Sequence, residues 1–412
     1  MRSPTALACL GLAMATLATS ADAKFRNVVY FTEWGSLPVS DIDWSRVTHV
    51  NYAFGKPNAN GTITFGNNDA AFHRVYPGDD AKKTKNLFGH FGQAYKLKSK
   101  FRHTKFGLSL GGWTWSDGFS PIAASAETRA RFVQNAAQLV DDLGLDFIDL
   151  DWENPVDGGD VNVPHRPDDI HNLVLLLQEF RRQFSELGYN TELSVASPAG
   201  AYYYRHWDFA AICPLLDYIN VMAYDFAGGW SAVADHASNL HKDPTNPFGS
   251  AVAISDTVHD YIQRGCASDK IVIGIPLYGP SFKGTANGLF TKYTSVGSEA
   301  YKDLPKPNAV EYFDAAAGAA YSLDNTTKEV VSYDTPLSLA AKLAFIKDNK
   351  LGGTMYWSAD ADAPAGSARS LITQAYNFYG KKNMDFGDNN VDYPNSKYPN
   401  IRGWDDEGDD SN

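Results

Sequence analysis

The chain has 412 residues, with 36 Lys and Arg against 48 Asp and Glu, and a formal net charge of −12. This length is typical of one large barrel domain with additions rather than one small domain. The negative charge disfavours nucleic acid and anionic membranes as partners, whereas a neutral polysaccharide would be indifferent to it.

Residues 1–23 have the pattern of a secretory signal peptide. Arg2 precedes an apolar run over residues 6–17, and Ala21 and Ala23 place small residues at positions −3 and −1 of a cleavage site. The apolar run is too short to span a membrane, and no later stretch is long and apolar enough to do so. We therefore expect a secreted, extracellular protein with no membrane partner.

Apolar runs bounded by turn residues predict eight strands in the rest of the chain. They lie at residues 27–32, 47–54, 105–110, 146–153, 192–197, 218–224, 270–278 and 353–357. Helical periodicity predicts helices between most of them, at residues 84–99, 132–143, 170–184, 209–216, 251–264, 336–349 and 367–379. Eight strands, each followed by a mostly helical connection, predict an α/β fold, a (β/α)₈ TIM barrel over residues 24–380.

Two stretches depart from this alternation. Residues 283–331 have mixed, short-period sequence rich in Gly, Pro, Tyr and Asn, and a connection this long predicts a functional insertion within the barrel. Residues 381–412 form a polar C-terminal tail, whose acidic end we expect to be solvated and disordered. The sequence has no obvious internal repeat and no Cys-rich binding module.

Cysteine usage agrees with an oxidising compartment. Cleavage after residue 23 would leave Cys213 and Cys266, each just before a predicted strand, so that one disulfide is expected. Two buried free thiols are the alternative. Asn60 and Asn325 each begin an N-glycosylation sequon, which matters only in a host that glycosylates.

Three acidic residues alternate along the fourth predicted strand. Asp149, Asp151 and Glu153 lie at i, i+2 and i+4, so in an extended strand they share one face. Predicted helices on both sides of the strand indicate that both sheet faces are covered, so the acids must line an interior that opens near Glu153. Carboxyl groups this close cannot all ionise, and a protonated acid beside a charged one is what glycosidic bond cleavage uses. A solvated edge strand or a cation site is the alternative.

Polar and aromatic residues cluster where the predicted strands end, which in a barrel of this type is the catalytic face. They are Tyr30, Ser109, Trp113, Trp115, Met222, Tyr224, Asp225, Trp230, Tyr278 and Trp357. A single Trp is more often part of a core, but several at one barrel mouth favour stacking on sugar rings.

These residues resemble glycoside hydrolase family 18 chitinases, and most of all the secreted fungal type. The D-G-x-D-x-D-x-E motif corresponds to residues 146–153, S-x-G-G to 109–112, M-x-Y-D to 222–225 and Y-A-F to 52–54, with Trp357 on strand eight. Residues 393–398 also resemble the end of fungal members. The match covers essentially the whole mature chain and implies an α+β insertion between strand seven and helix seven.

The resemblance implies a chitinase that cleaves β-1,4-linked N-acetylglucosamine chains with retention of configuration. It implies Glu153 as general acid, Asp151 as the partner of the substrate acetamido N–H, Asp149 as the acid that shares a proton with Asp151, and Tyr224 as donor to the acetamido carbonyl. The residues implied in substrate binding are Tyr30, Phe54, Ser109, Gly112, Trp113, Met222, Asp225, Trp230, Tyr278 and Trp357. We expect a chitin or chito-oligosaccharide substrate, a monomer, and no metal or cofactor.

Three residues depart from the family pattern. Phe147 replaces a motif Gly, so neighbouring side chains low in the barrel must be small to accommodate it. Asn154 replaces the Tyr that follows the acid, and Pro280 replaces an Arg after strand seven. These departures affect the expected affinity and product-side binding rather than the acid–base chemistry.

Two other functions fit the same scaffold. A non-catalytic lectin is one, although that class typically lacks the catalytic Glu, which is present here as Glu153. An endo-N-acetylglucosaminidase acting on glycoprotein glycans is the other, but a long insertion and many aromatic residues favour a linear polymer.

Overall fold

A computed structural model describes residues 24–402 except 245, 247, 249 and 250, so that the predicted signal peptide and the acidic end of the tail lie outside the described residues. The described residues form fourteen strands. They are β1 (Arg26–Thr32), β2 (His49–Pro57), β3 (Ile63–Phe65), β4 (Lys105–Gly111), β5 (Phe147–Asp151), β6 (Glu192–Pro198), β7 (Tyr218–Met222), β8 (Ile271–Pro276), β9 (Tyr278–Lys283), β10 (Ser295–Ala300), β11 (Val310–Asp314), β12 (Ala319–Asp324), β13 (Glu329–Ser332) and β14 (Gly353–Trp357).

Eight of these strands close into a parallel barrel. The order is β1-β14-β8-β7-β6-β5-β4-β2, and the pairing of β1 with β2 completes the ring. β3 adds to β2 as an antiparallel strand outside the ring. The predicted α/β fold and TIM barrel are therefore confirmed.

Ten α-helices lie among the described residues. They are α1 (Gly89–Lys100), α2 (Phe119–Ala124), α3 (Ala126–Leu143), α4 (Asp169–Phe184), α5 (Ala201–Tyr204), α6 (Phe209–Ile212), α7 (Ile254–Gln263), α8 (Pro336–Asp348), α9 (Leu371–Tyr379) and α10 (Pro399–Arg402). None of these helices is long and apolar enough to cross a membrane.

Helix α3 illustrates why these residues are helical. Phe132, Val133, Ala136, Ala137, Val140 and Leu143 recur at helical spacing and are buried. Ser125 caps the first turn, and Gly144 ends the helix with φ +68°, a left-handed conformation that favours Gly. The turn after α3 therefore delivers the chain directly into β5.

The insertion is a five-stranded antiparallel sheet, in the order β10-β9-β13-β12-β11. It begins at Tyr278, earlier than the predicted boundary at residue 283. The seventh barrel strand ends at Pro276, and residues 278–283 continue as β9 of the second sheet. The only regular helix described between β9 and β13 is a 3₁₀ turn, Tyr301–Asp303, so this segment is almost entirely β rather than α+β.

Residues 381–402 are polar in composition, but several of their side chains are buried against the rest of the chain. The Asn389 side chain donates to the carbonyl oxygens of Lys98 and Thr104 at 2.9 and 2.7 Å. Tyr393 is fully buried, and its hydroxyl donates to the carbonyl oxygen of Leu145 at 2.7 Å. The polar side chains in this segment thus satisfy backbone groups at the lower end of the barrel, which composition alone cannot indicate.

The lower interior of the barrel accommodates Phe147 as the sequence predicts. A Cβ at Gly107, directly across from it on β4, would lie 2.4 Å from the Phe147 ring. The ring also packs against His49 at 5.4 Å between centroids. Below it, Glu192 accepts a hydrogen bond from His49 Nε2 at 2.9 Å and pairs with Lys105. This buried network closes the barrel at the end opposite the site described next.

The two cysteines form the predicted disulfide, and the two sequons lie on the surface. Cys213 and Cys266 form a disulfide with a Cα–Cα separation of 5.3 Å. Asn60 lies in the exposed turn between β2 and β3, and Asn325 lies in the exposed turn between β12 and β13. Both Asn residues are accessible in the folded chain.

Candidate active site

The acidic residues predicted from the alternation meet at the upper end of β5. Asp149 and Asp151 belong to the strand and are buried, whereas the strand ends at Asp151 and the half-buried Glu153 follows it in the loop. The expectation that all three acids lie within one extended strand is therefore wrong for Glu153. Trp152 points away from the acids and stacks on Phe119 at 5.3 Å in the outer core, which anchors the end of the strand.

Asp149 is held by donors from four other barrel strands. Its Oδ2 accepts hydrogen bonds from the Tyr30 and Ser109 hydroxyls, both at 2.7 Å. Its Oδ1 accepts one from Ser194 at 2.6 Å and a longer one from Asn220 at 3.4 Å. Burial raises the pKa of Asp149, and these four donors oppose that rise by favouring the charged form.

Asp151 differs from Asp149 in that no hydrogen-bond donor offsets the effect of burial on its pKa. Burial raises its pKa well above the ordinary value, and the neighbouring charges of Glu153 and Asp149 raise it further. Its Oδ1 is buried with no hydrogen-bond partner among the described residues. Asp151 therefore favours the protonated form, and its carboxyl presents an acceptor that a ligand N–H can satisfy.

Glu153 lies nearest to solvent of the three acids. Burial, followed by the charge of Asp225, raises its pKa to about 7. Such a carboxylic acid still holds its proton below neutral pH and can donate it to a bound group. Burial thus raises the pKa of all three acids, but hydrogen-bond donors oppose the rise only at Asp149.

Ser116 fixes the backbone beside these acids. Its hydroxyl lies 2.9 Å from the Gly112 carbonyl oxygen and 3.1 Å from that of Asp151, and it accepts a hydrogen bond from the Glu153 N–H at 2.8 Å. The Gly112 N–H also donates to the Asp151 carbonyl at 2.8 Å. This approach requires glycine at position 111, where φ is +110° and a Cβ would lie 2.3 Å from the Asp151 oxygen.

The end of β7 supplies a second wall. The Tyr278 hydroxyl donates to Asp225 Oδ1 at 2.7 Å, and the Tyr278 ring lies 6.1 Å from the ring of Tyr224. Burial, then the charges of Asp151, Asp225 and Glu153, raise the pKa of Tyr224 well above its ordinary value. Tyr224 therefore remains a hydroxyl donor, while Met222 packs below it in the upper barrel core.

Aromatic rings form the remaining surface. Trp357 stacks on Phe54 at 5.6 Å and meets Tyr30 edge-on at 5.4 Å. Trp34, 66% exposed, lies 6.4 Å from Trp357 at the rim. An open cavity of about 460 Å³ lies between Trp357 and the second sheet, where Tyr278 and residues of β10 line it. None of the three acids lines this cavity, but Trp357 contacts Tyr30 and Tyr278 contacts Asp225, so the cavity adjoins residues that surround the acids.

Trp113 and Trp230 lie outside this cluster. They are 49% and 70% exposed, on the segments that follow β4 and β7. The Tyr293 hydroxyl of the insertion donates to the Ser231 carbonyl at 2.6 Å, which fixes the segment carrying Trp230. Both rings are free to contact a ligand, but the structure places neither against the acids.

Four residues of this site are not among those predicted from the sequence. They are Trp34, Ser116, Ser194 and Asn220. Ser194 and Asn220 lie two residues into β6 and β7, on the face that points inward, so strand alternation offered a signal for them. Ser116 and Trp34 lie in connections, where no periodic signal exists.

Two of the family departures lie beside the site. Asn154 is 3% exposed, and its Oδ1 has no partner among the described residues. Pro280 is the third residue of β9 and pairs with Ser298 of β10. Neither supplies an aromatic ring or a charge to the cleft.

The arrangement can perform acid–base chemistry on a neutral ligand. It combines a proton donor at the mouth, a buried acceptor behind it and a flat aromatic floor. Among the described residues, no group of three or more His, Cys, Asp or Glu side chains could hold a metal ion. The chemistry available from these side chains is proton transfer and charge stabilisation.

Known proteins resemble the chain over most of its length. The profile of Glycosyl hydrolases family 18 matches residues 26–362. Chitinase 1 of Aphanocladium album is 39% identical over 396 residues, which cover 92% of this chain and 90% of that protein. Endochitinase 1 of Metarhizium robertsii is 38% identical, over 91% of this chain and 90% of its own. The structure of chitinase ChiA74 from Bacillus thuringiensis is 30% identical with a TM-score of 0.78, covering 87% of this chain and 70% of that one.

The contacts of Ser116 generate a prediction. We expect Ser116→Ala to lower kcat on chito-oligosaccharides about tenfold with KM within about twofold, because a lost buried hydrogen bond misplaces the Glu153 backbone. Ser120→Ala is the control, since Ser120 is equally buried but donates to Asp169, away from the acids. Steady-state kinetics of both variants decide it: equal losses of kcat would show that Ser116 affects only folding.

Proposed function

Since the chain belongs to glycosyl hydrolase family 18 and is a glycoside hydrolase of the chitinase class, we propose that it hydrolyses β-1,4 linkages in chitin by a retaining, substrate-assisted mechanism. The observation that carries this proposal is the convergence of three acids at the end of β5, where Asp149 has four donors, Asp151 has a buried oxygen without a partner among the described residues, and Glu153 lies nearest to solvent. Only Glu153, with a pKa of about 7 and access to the cleft, is suited to give a proton to a leaving group.

In the first step, Glu153 protonates the glycosidic oxygen while the acetamido carbonyl oxygen of the substrate attacks the anomeric carbon. The bond to the leaving sugar breaks, and a cyclic oxazolinium ion forms. Glu153, now ionised, then removes a proton from a water molecule. The water oxygen attacks the anomeric carbon from the face that the leaving sugar occupied, and this attack opens the oxazolinium ring. Two displacements on one carbon give net retention of configuration.

Asp151 and Asp149 act as a pair during this cycle. The unpartnered Oδ1 of Asp151 accepts the acetamido N–H and so turns the carbonyl oxygen toward the anomeric carbon. The proton that Asp151 holds in the free enzyme is taken up in part by Asp149, whose buried position raises its pKa also. Asp151 is then charged when the positive charge develops next to it.

The surrounding residues bind and orient the sugar. Tyr224, kept neutral by its surroundings, donates to the acetamido carbonyl oxygen, and Trp357 forms the floor beneath the reacting ring. Trp113 and Trp230 stack on product-side sugars, and Tyr278 positions Asp225. Phe54 and Tyr30 hold Trp357 flat.

Three features of the chain favour an extracellular location. A disulfide between Cys213 and Cys266, two exposed sequons and a predicted signal peptide are each typical of secreted proteins. We propose that the enzyme acts outside the cell, as a monomer, on an insoluble or oligomeric chitin substrate. A lectin function is disfavoured, because the chain retains the proton donor that binding alone does not require.

The general-acid role of Glu153 has a direct test. We expect Glu153→Gln to lower kcat at least 100-fold, in line with the contribution of a positioned general acid, while binding to chitin is retained. Glu127→Gln, on the exposed first turn of α3, removes the same charge and serves as the control. Release of label from a fluorogenic chitobioside measures both; normal turnover by Glu153→Gln would end the proposal.

The pH dependence follows from the same acid. Glu153 must be protonated to act, so kcat/KM should fall as the pH rises through its pKa of about 7. Because the Asp225 charge helps to raise this pKa, Asp225→Asn should shift the alkaline limb of the profile to lower pH. Asp269→Asn, on an exposed turn at the start of β8, should leave the limb unmoved. A limb that stays in place in Asp225→Asn would contradict this account of Glu153.

A further inference from the structure

A second cavity lies in the insertion, away from the acids. It has a volume of about 310 Å³ and lies between the turn 287–290 and the outer strands β11 and β12. We call it the β11 groove, and its floor and walls include Phe290, Tyr312, Asp314 and Tyr321. The mechanism proposed above uses none of these residues.

Aromatic rings dominate the groove. Tyr312 stands directly across from Tyr321, and their rings stack at 5.2 Å with an interplanar angle of 19°. Tyr312 is nevertheless 39% exposed, as is Phe313 next to it at the sheet edge. A flat ring supported from behind and open in front is suited to the C–H faces of a pyranose, because the negative ring face attracts the partly positive hydrogens.

The polar atoms of the groove are fixed in place. Asp314 accepts hydrogen bonds from the backbone N–H groups of Ala316 and Ala317 at 3.0 and 3.1 Å, and its Oδ2 lies 3.3 Å from His236 Nε2. His236 is 2% exposed and packs against Phe290 and Tyr321, yet its Nδ1 has no partner among the described residues. An oriented carboxylate beside stacked rings is an acceptor for hydroxyl or amide N–H groups.

The groove and the catalytic cleft lie at opposite edges of one sheet. β10 lines the cavity beside Trp357, and β11 is the fifth strand of the order β10-β9-β13-β12-β11. Four strand spacings of about 4.8 Å separate the two edges by about 19 Å. A polymer chain or particle that fills the cleft extends well beyond this distance, so the same substrate can reach both.

We propose that the β11 groove is a second binding site for β-linked N-acetylglucosamine units of chitin, which holds the enzyme on the polymer while the cleft cuts it. This inference rests on the proposed function. The carboxylate of Asp314 and the net charge of −12 oppose an anionic ligand, whereas a neutral sugar chain offers both an apolar face and N–H and O–H donors.

Tyr312 variants in the inactive Glu153→Gln background test the site without consuming the polymer. We expect Tyr312→Ala to raise the dissociation constant for insoluble chitin about three- to tenfold, the loss of one aromatic contact. Tyr312→Phe keeps the ring and should bind as the parent does. Phe378→Ala is the matched control, because Phe378 is a similarly exposed ring, 43%, on α9 outside the groove.

The active enzyme separates this inference from the proposed function. With Glu153 intact, Tyr312→Ala should solubilise insoluble chitin more slowly but hydrolyse soluble chitotetraose with unchanged kcat/KM. If Tyr312→Ala binds chitin as tightly as its parent, or Phe378→Ala loses as much affinity, the groove is not a chitin site. If the unmodified chain fails to hydrolyse chitotetraose, it is the proposed function that is wrong.

Discussion

The rest of the site depends on the Asp149 carboxylate, which is buried in the barrel. Hydroxyl and amide donors from β1, β4, β6 and β7 hold it, so that it joins four strands at one point. A buried charge is tolerated only where donors surround it, and here the donors come from strands far apart in sequence. Asp151, two residues later, has a buried oxygen with no partner among the described residues, and burial followed by the charges of Glu153 and Asp149 raises its pKa well above the ordinary value. Glu153, at the opening, then retains its proton up to about pH 7. One strand and the loop that follows it thus place three acids in three different surroundings.

The rest of the molecule positions this strand end. Below, Phe147 fits the space that Gly107 leaves, and a buried ionic network closes the barrel. Above, the second sheet contributes one wall of the cavity beside Trp357, and Tyr293 fixes the segment that carries Trp230. The insertion therefore shapes the cleft from outside the barrel, and its far edge offers the β11 groove. Since both surfaces belong to one hydrogen-bonded sheet, their separation is fixed.

Much of this could be predicted from sequence, because the period-two pattern of a strand and the 3.6-residue pattern of a helix are local. The eight barrel strands and the shared face of Asp149 and Asp151 follow from such patterns, whereas the need for a small neighbour of Phe147 follows from the family resemblance. The end of β5 before Glu153, the start of the second sheet at Tyr278 and the burial of Tyr393 do not, because contacts with distant segments decide them. Ser116 shows the limit most clearly: its hydroxyl joins two connections through backbone atoms, which leave no pattern in the sequence.

In the proposed mechanism the acetamido group of the substrate, oriented by Asp151, is the nucleophile, so that both displacements occur at one carbon. The stereochemistry of the first-formed product tests this most directly, by proton NMR of chitotetraose hydrolysis within the first minutes, before mutarotation. Under a substrate-assisted mechanism, the new reducing end appears as the β anomer and converts slowly to the α anomer. A product released first as the α anomer would contradict it, because water would then have displaced the leaving sugar directly.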